Sequence, residues 1–190
     1  LTHLHTFKLI GFFFGQEVNV NAKSITSLHN QIQTCIIDRV QLTPNLNDKS
    51  NLIYTLTKLQ HLELNGCEIS ELNETISNLT PLQTLLLSSN SKLNRLPSSM
   101  TKLTSLLHLS LNCTNIQSDT LISVVCQLPS LQVLELNRAY QLKTLPSQIS
   151  QLTSIQHLSL TSSEITSLPT QIGLLTQLHT LNLYWFYLPQ

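Results

Sequence analysis

Three of the seven histidines in this chain, His61, His108 and His157, begin the same kind of segment, in which Leu-x-Leu follows the histidine. Imidazole nitrogens are common zinc ligands, but zinc needs them about 2.0–2.1 Å away. If the three segments are strands in alternate repeat units, neighbouring histidines stand about 10 Å apart. We therefore predict no metal site and no cofactor.

The motifs that accompany common catalytic chemistry are missing from the sequence. It has no glycine-rich phosphate loop, no GxSxG and no HExxH. Its carboxylates stand singly, and no third group accompanies a cysteine and a histidine to orient them. We therefore predict that the chain is not an enzyme, and that any catalytic activity belongs to a domain outside it.

Four cysteines, Cys35, Cys67, Cys113 and Cys126, show no CxxC pair and no clustering. In the predicted register Cys113 lies about two strands from Cys67, beyond the reach of a disulfide, and we interpret all four as free thiols. Free thiols favour a reducing, cytoplasmic compartment, although a cell-surface or extracellular protein with few cysteines fits the same pattern.

A segment of the form Lxx(L/V)x(L/V) recurs along the chain about every 23 residues, a spacing typical of stacked repeat units. Its apolar and polar residues alternate, which predicts a short strand with Leu62 and Leu64, for example, on one face. A single unit cannot bury so many apolar groups, so neighbouring units must stack into a continuous core. The first positions of the units are Gly15, Ile37, Leu59, Leu82, Leu106, Leu131, Ile155 and Leu178.

The phrase SNSKLNRLPSSMTKLTSLLHLSL resembles leucine-rich repeats, in particular those of the Ras group and of plant intracellular immune receptors. The resemblance covers roughly residues 15–190. It implies an α/β solenoid, a horseshoe with a parallel concave β-sheet and short helical or extended convex turns. It also implies ligand binding across the repeats, without chemistry, although this scaffold carries many unrelated binding functions.

The family also places an inward asparagine three residues after the last leucine of each strand. Here Asn45 and Asn90 match that position and Cys67 fits it, while Thr114 and Ser163 are weaker substitutes. The residues that depart from the pattern, and break the predicted ladder of amides, are Lys23, Ala139 and Phe186.

Two regions are predicted along the chain. Residues 1–14 form a degenerate N-terminal unit or cap, in which Leu4-x-x-Phe7-x-Leu9 offers one strand. Residues 15–190 form the repeat array, with units at the positions given above. The unit from Ile37 lacks the Leu-Pro half and has a polar loop, 45–51, in its place.

Composition limits the classes of partner. The 190 residues include ten basic and ten acidic side chains, and charged residues make up 11% of the chain against about 25% in typical domains. Scattered cations do not form the basic patch that nucleic acid needs, so we predict no nucleic-acid binding. No apolar run approaches the length of roughly 20 residues that a membrane-spanning helix needs, so we predict no membrane span.

The strand residues that flank each inward pair point away from the core. We predict that a protein or peptide partner binds this concave face, and that the chain is part of a larger receptor, effector or surface protein. The His61/Glu63 pair would make that binding sensitive to pH. The predicted partner-binding residues are Arg39, Gln41, His61, Glu63, Asn65, His108, Asn112, Glu135, Asn137, His157 and Tyr184.

Aromatic residues concentrate in two clusters, Phe12-Phe13-Phe14 and Tyr184-Trp185-Phe186-Tyr187. Each cluster could close one end of the core. Alternatively, one end could stack on the other end of a second copy, and such a head-to-tail contact generates filaments or oligomers. The second interpretation makes the chain a self-associating structural subunit with end-to-end contacts at Phe12, Phe13, Phe14, Trp185 and Phe186.

Overall fold

The computed structural model describes residues 4–10, 31–39 and 52–184. Within these ranges eight strands form one parallel sheet whose spatial order follows the chain order. Neighbouring strands pair without any shift of the repeat pattern, so Leu62 lies beside Leu85, for example. The strands are β1 (Thr6–Ile10), β2 (Thr34–Asp38), β3 (His61–Asn65), β4 (Thr84–Leu86), β5 (His108–Ser110), β6 (Val133–Glu135), β7 (His157–Ser159) and β8 (Thr180–Asn182).

Positions in a unit are counted from its first apolar residue, so that Leu59 is position 1 of the unit containing β3. Positions 1, 4 and 6 point into the core, because alternate residues of a strand face opposite sides. In the unit of β3 these residues are Leu59, Leu62 and Leu64, and each is fully buried. The same three positions are buried from β2 to β7, which gives the solenoid one continuous core.

A left-handed turn follows the strand at position 8 in six units. Its N–H donates to the carbonyl of position 7 in the next unit, which extends the ladder of backbone bonds beyond the strand. Only Gly66 is a glycine there; its φ is +63°, and an added Cβ would lie 3.3 Å from Cγ of Arg39. The non-glycine residues that adopt this conformation at position 8 are Arg39, Ser89, Cys113, Arg138 and Ser162.

Short helices form the opposite side of the core. Pro97, Pro146 and Pro169 are extended and directly precede three of them, where the missing proline N–H costs no hydrogen bond. One unit differs, because the α-helix α1 (Ser118–Ser123) replaces the Leu-Pro turn and buries Thr120 and Leu121. The 3-10 helices are Leu52–Thr55, Glu74–Asn78, Ser98–Lys102, Val125–Gln127, Ser147–Gln151 and Thr170–Leu174. This architecture confirms the predicted solenoid.

Position 9 follows the left-handed turn, and the structure describes it in five units. It is buried in each of them. Asn90 fills it with the amide bonds predicted: Nδ2 donates to the carbonyls of Leu64 and Leu87, and Oδ1 accepts from the N–H groups of Cys67 and Ile69. Thr114 and Ser163 bond only a carbonyl of their own unit, three residues back, so they join no neighbours.

The N-terminal register differs from the prediction. Ile32, Cys35 and Ile37 hold positions 1, 4 and 6 of the unit of β2, so this unit begins five residues before the predicted start at Ile37. The predicted strand near residues 4–9 is present as β1, and it pairs directly with β2. The unit predicted from Gly15 lies outside the described residues. Asn45, Lys23 and Phe186 also lie outside them.

Burial decreases at the β8 end of the sheet. Leu181 and Leu183 are only partly buried, whereas the equivalent Leu158 and Leu160 of β7 are buried. Leu174, in the last 3-10 helix, is 63% exposed. In the described part of the chain, every helix is too short or too polar to span a bilayer.

Candidate binding surface

Side chains at positions 3, 5 and 7 of the units from β2 to β8 face solvent on the side of the sheet away from the core. We call this surface the concave face. Apart from the buried Ser110, its members are half-buried or exposed. They are Thr34, Ile36, Asp38, His61, Glu63, Asn65, Thr84, Leu86, Ser88, His108, Ser110, Asn112, Val133, Glu135, Asn137, His157, Ser159, Thr161, Thr180, Asn182 and Tyr184.

Nine of the predicted partner-binding residues lie on this face: His61, Glu63, Asn65, His108, Asn112, Glu135, Asn137, His157 and Tyr184. Arg39 does not, because the corrected register moves it to position 8, an exposed left-handed turn. Gln41 lies outside the described residues, as do the predicted end-to-end contacts Phe12, Phe13, Phe14, Trp185 and Phe186.

Glu135 lies at the centre of the best-connected cluster on the face. Its Oε2 accepts hydrogen bonds from Ser110 Oγ at 2.8 Å and from Asn112 Nδ2 at 2.7 Å. Its Oε1 stands 3.7 Å from Nε2 of His108, which is ion-pair distance rather than hydrogen-bond distance. His108 is the largest cause that lowers the pKa of Glu135, and the hydrogen bonds from Ser110 and Asn112 lower it further, whereas burial raises it. The net result is a pKa of about 2. The carboxylate is thus held ionised in a fixed orientation.

Glu63 has a similar environment on β3. Asn65 Nδ2 donates to its Oε1 at 2.7 Å, and Nε2 of His61 stands 3.7 Å from its Oε2. Each of the two glutamates therefore has one oxygen bonded to an asparagine amide and the other facing an imidazole. Both side chains remain accessible to solvent, with 24% of Glu63 and 33% of Glu135 exposed.

Asparagines at position 7 form a second ladder, which the sequence analysis missed. Oδ1 of Asn65 accepts from the N–H of Ser88, Oδ1 of Asn112 from that of Asn137, and Oδ1 of Asn137 from that of Thr161, each at 2.8 Å. The recurrence of asparagine at this position in three units was the available signal. These amides brace neighbouring units, so a partner would meet side chains whose amide groups are already bonded.

The histidine column has the predicted geometry. Thr84 lies between His61 and His108 in the register, and Val133 lies between His108 and His157, so neighbouring histidines are two strands apart. Nowhere in the described ranges do three His, Cys, Asp or Glu side chains come together to hold a metal ion. All four cysteines are free, as predicted, and burial raises the pKa of Cys35 to about 12 and that of Cys126 to about 11.

Three apolar side chains interrupt the polar surface: Ile36, Leu86 and Val133, all half-buried. Leu86 and Val133 are not among the predicted partner-binding residues. Ser110, the register partner of Leu86, lies on β5 between the strands of Leu86 and Val133, and its hydroxyl is 2.9 Å from that of Ser88. The resulting face combines fixed hydrogen-bonding groups with apolar spots, which suits contact with a polypeptide better than chemistry on a small molecule.

Solved structures with similar folds are leucine-rich repeat proteins. One is a leucine-rich repeat protein of Leptospira interrogans, 28% identical, with a TM-score of 0.66 over 98% of this chain. Another is the plant peptide hormone receptor RGFR1 in complex with RGF2, 24% identical, with a TM-score of 0.60 over 81% of this chain. The chain spans 51% of the first protein and 24% of the second.

No protein-family model matches the sequence, and no curated protein matches it significantly. The fold evidence is nevertheless consistent at three levels: the repeated Lxx(L/V)x(L/V) segment, the eight-stranded parallel sheet in chain order, and the likeness to two repeat proteins. The chain therefore has the leucine-rich repeat fold.

Proposed function

We propose that the chain is a non-catalytic recognition module that binds a protein or peptide partner on the concave face. The observation that carries the proposal is the bonded network around Glu135, in which Ser110 and Asn112 fix the carboxylate toward solvent. A surface fixed before binding loses little side-chain entropy when a partner docks. The face extends over seven strands, about 29 Å from β2 to β8, which is the scale of a polypeptide contact.

Two further observations support this function. The RGFR1 structure is of a peptide hormone receptor, so a similar fold is used there for a peptide ligand. The chain also spans only about half of the Leptospira protein and a quarter of the receptor, which fits a module within a larger receptor, effector or surface protein.

A display selection tests the proposal. A library of random peptides is selected against the chain, and the binders are assayed against two arginine variants by fluorescence anisotropy. Leu86→Arg places a bulky cation in the middle of the concave face, whereas Thr153→Arg adds the same side chain at an exposed position off the face. We expect L86R to abolish binding and T153R to leave it within about twofold. Equal binding to both variants would contradict the proposal.

A second candidate function is self-association through the ends of the array. The exposed apolar side chains at the β8 end favour it: Leu174 is 63% and Tyr184 is 64% exposed. At the other edge, Ile10 of β1 is 41% exposed. Under this alternative the chain is a structural subunit whose ends meet head to tail.

Analytical ultracentrifugation separates the two functions. If the ends associate, the sedimentation coefficient rises with protein concentration, and the double variant L174S/Y184S removes that rise. If the chain is only a recognition module, wild type and variant sediment alike at all concentrations. Thr153→Ser, at an exposed position outside both edge strands, is the control.

A further inference from the structure

The concave face carries an unbalanced charge although the chain is neutral overall. From β2 to β8 its charged side chains are three carboxylates, Asp38, Glu63 and Glu135, with no lysine or arginine. Lys8 lies beyond them at the equivalent position of the edge strand β1, two strands from Glu63. Asp38 has an arginine neighbour, because Nε of Arg39 stands 3.7 Å from its Oδ2. Within the described ranges, Glu63 and Glu135 contact histidine but neither lysine nor arginine. The face therefore presents two carboxylates without a permanent cation.

Both carboxylates are pre-organised for a cationic ligand. In each, one carboxylate oxygen lies 3.7 Å from the histidine Nε2, which is too far for a hydrogen bond. The other oxygen accepts a hydrogen bond from an asparagine amide. Each of these asparagines is in turn fixed by a backbone N–H of the next unit. An ammonium or guanidinium group can thus bond an oxygen with free acceptor capacity, and the charge-assisted bond requires no rearrangement of the carboxylate.

The separation of the two carboxylates is set by the sheet. Glu63, Leu86, Ser110 and Glu135 are successive register partners at position 5 of β3, β4, β5 and β6. Three strand spacings place the two glutamates about 14–15 Å apart along the array, with the apolar Leu86 between them. An extended peptide advances about 3.3–3.4 Å per residue, so this distance corresponds to about four residues.

We infer that the partner segment is an extended peptide carrying Lys or Arg at two positions four residues apart, with an apolar residue midway between them. In an extended chain these three side chains point to the same side. The two cations would meet Glu63 and Glu135, and the apolar side chain would lie over Leu86 and Ser110. This inference rests on the proposed function, since it specifies the partner of the same concave face.

Defined peptides test the spacing. The probe is a fluorescein-labelled nine-residue peptide of Gly and Ser with Lys at positions 3 and 7 and Leu at position 5. Its isomer has the same composition, with the two Lys at positions 4 and 6. We expect the probe to bind at least about tenfold more tightly than the isomer, and to weaken as NaCl rises from about 50 to about 300 mM. Equal affinities would overturn the inferred spacing.

Charge-removing variants test the two contacts. Glu63→Gln and Glu135→Gln keep the size and the acceptor oxygen of each side chain, and each is expected to weaken the probe about 5–20-fold. Glu71→Gln, which removes an exposed carboxylate off the face, is the matched control and should change affinity less than about twofold. Thermal unfolding of each variant confirms that it is folded. Unchanged affinity in folded E63Q and E135Q would overturn the inference.

The random-peptide selection described above distinguishes the two levels of the proposal. Binders that lose affinity on L86R and carry cations four residues apart support both. Binders that lose affinity on L86R but lack paired cations retain the proposed function and overturn the inference. Binders whose affinity is the same for L86R and wild type overturn both the proposed function and the inferred peptide.

Discussion

Asn90 shows how one side chain joins two units of the array. It is fully buried, and its amide satisfies two carbonyls and two N–H groups from the units of β3 and β4. The resemblance to leucine-rich repeats implied this role for Asn90 from the sequence. It did not identify the role of Asn65, Asn112 and Asn137, because outward amides on a strand usually face solvent and their bonds depend on the neighbouring backbone.

Asn90→Ala is expected to destabilise the chain by about 3 kcal/mol. The substitution leaves the buried N–H groups of Cys67 and Ile69 without acceptors, and each such loss costs about 1–3 kcal/mol. Urea unfolding followed by circular dichroism measures the change. Asn94→Ala, at an exposed position of the same unit, should stay within about 0.5 kcal/mol of wild type. Similar stabilities of the two variants would refute the bridging role.

Glu135 gives the fold a defined acid sensitivity. Its folded pKa of about 2 lies below the usual 4.5, so ionisation stabilises the fold above pH 4.5, and this stabilisation is lost as pH falls toward 2. For a side chain one-third exposed, we expect a contribution of about 1–2 kcal/mol after solvent screening. In urea titrations, Glu135→Gln should lose less stability than wild type between pH 5 and 2. Parallel pH profiles would contradict this assignment.

At the scale of elements, the strands from β3 to β8 could be predicted from sequence because each unit repeats the same apolar positions about every 23 residues. The register of β2 could not be predicted from sequence. Thr6 pairs with Thr34, and Thr34 pairs with His61, so the first two units are longer than the period assumed. Ile37-Asp-Arg-Val-Gln-Leu fits the strand pattern as well as the true segment from Ile32, whose Cys35 disguises an apolar position.

Alanine substitutions at the same repeat position are expected to lower the free energy of unfolding by different amounts along the sheet. Leu158 and Leu181 both hold position 4 and are register partners, but Leu158 is 1% exposed and Leu181 only partly buried. Leu158→Ala should cost about 3 kcal/mol and Leu181→Ala about half of that, since the cost grows with the cavity left behind. Urea unfolding of the two variants measures both. A larger loss at Leu181 would mean that the β8 end is more tightly packed than the structure shows.

Stacked units convert short strands into one broad surface. The sequence predicted this surface and nine of its members, because outward positions follow directly from the strand period. It could not predict which members are bonded to each other. The Glu135 cluster joins β5 and β6, so its residues come from two successive units of the chain.

The most direct test that a partner binds the concave face is NMR of the histidine rings during titration with a selected peptide binder. His61, His108 and His157 lie on the face, whereas the exposed His179 lies off it, just before β8. Histidine-to-glutamine variants assign the ring signals. We predict that the signals of His61, His108 and His157 shift with bound fraction while that of His179 stays in place. A shift of His179 alone, with the three face histidines unmoved, would contradict it.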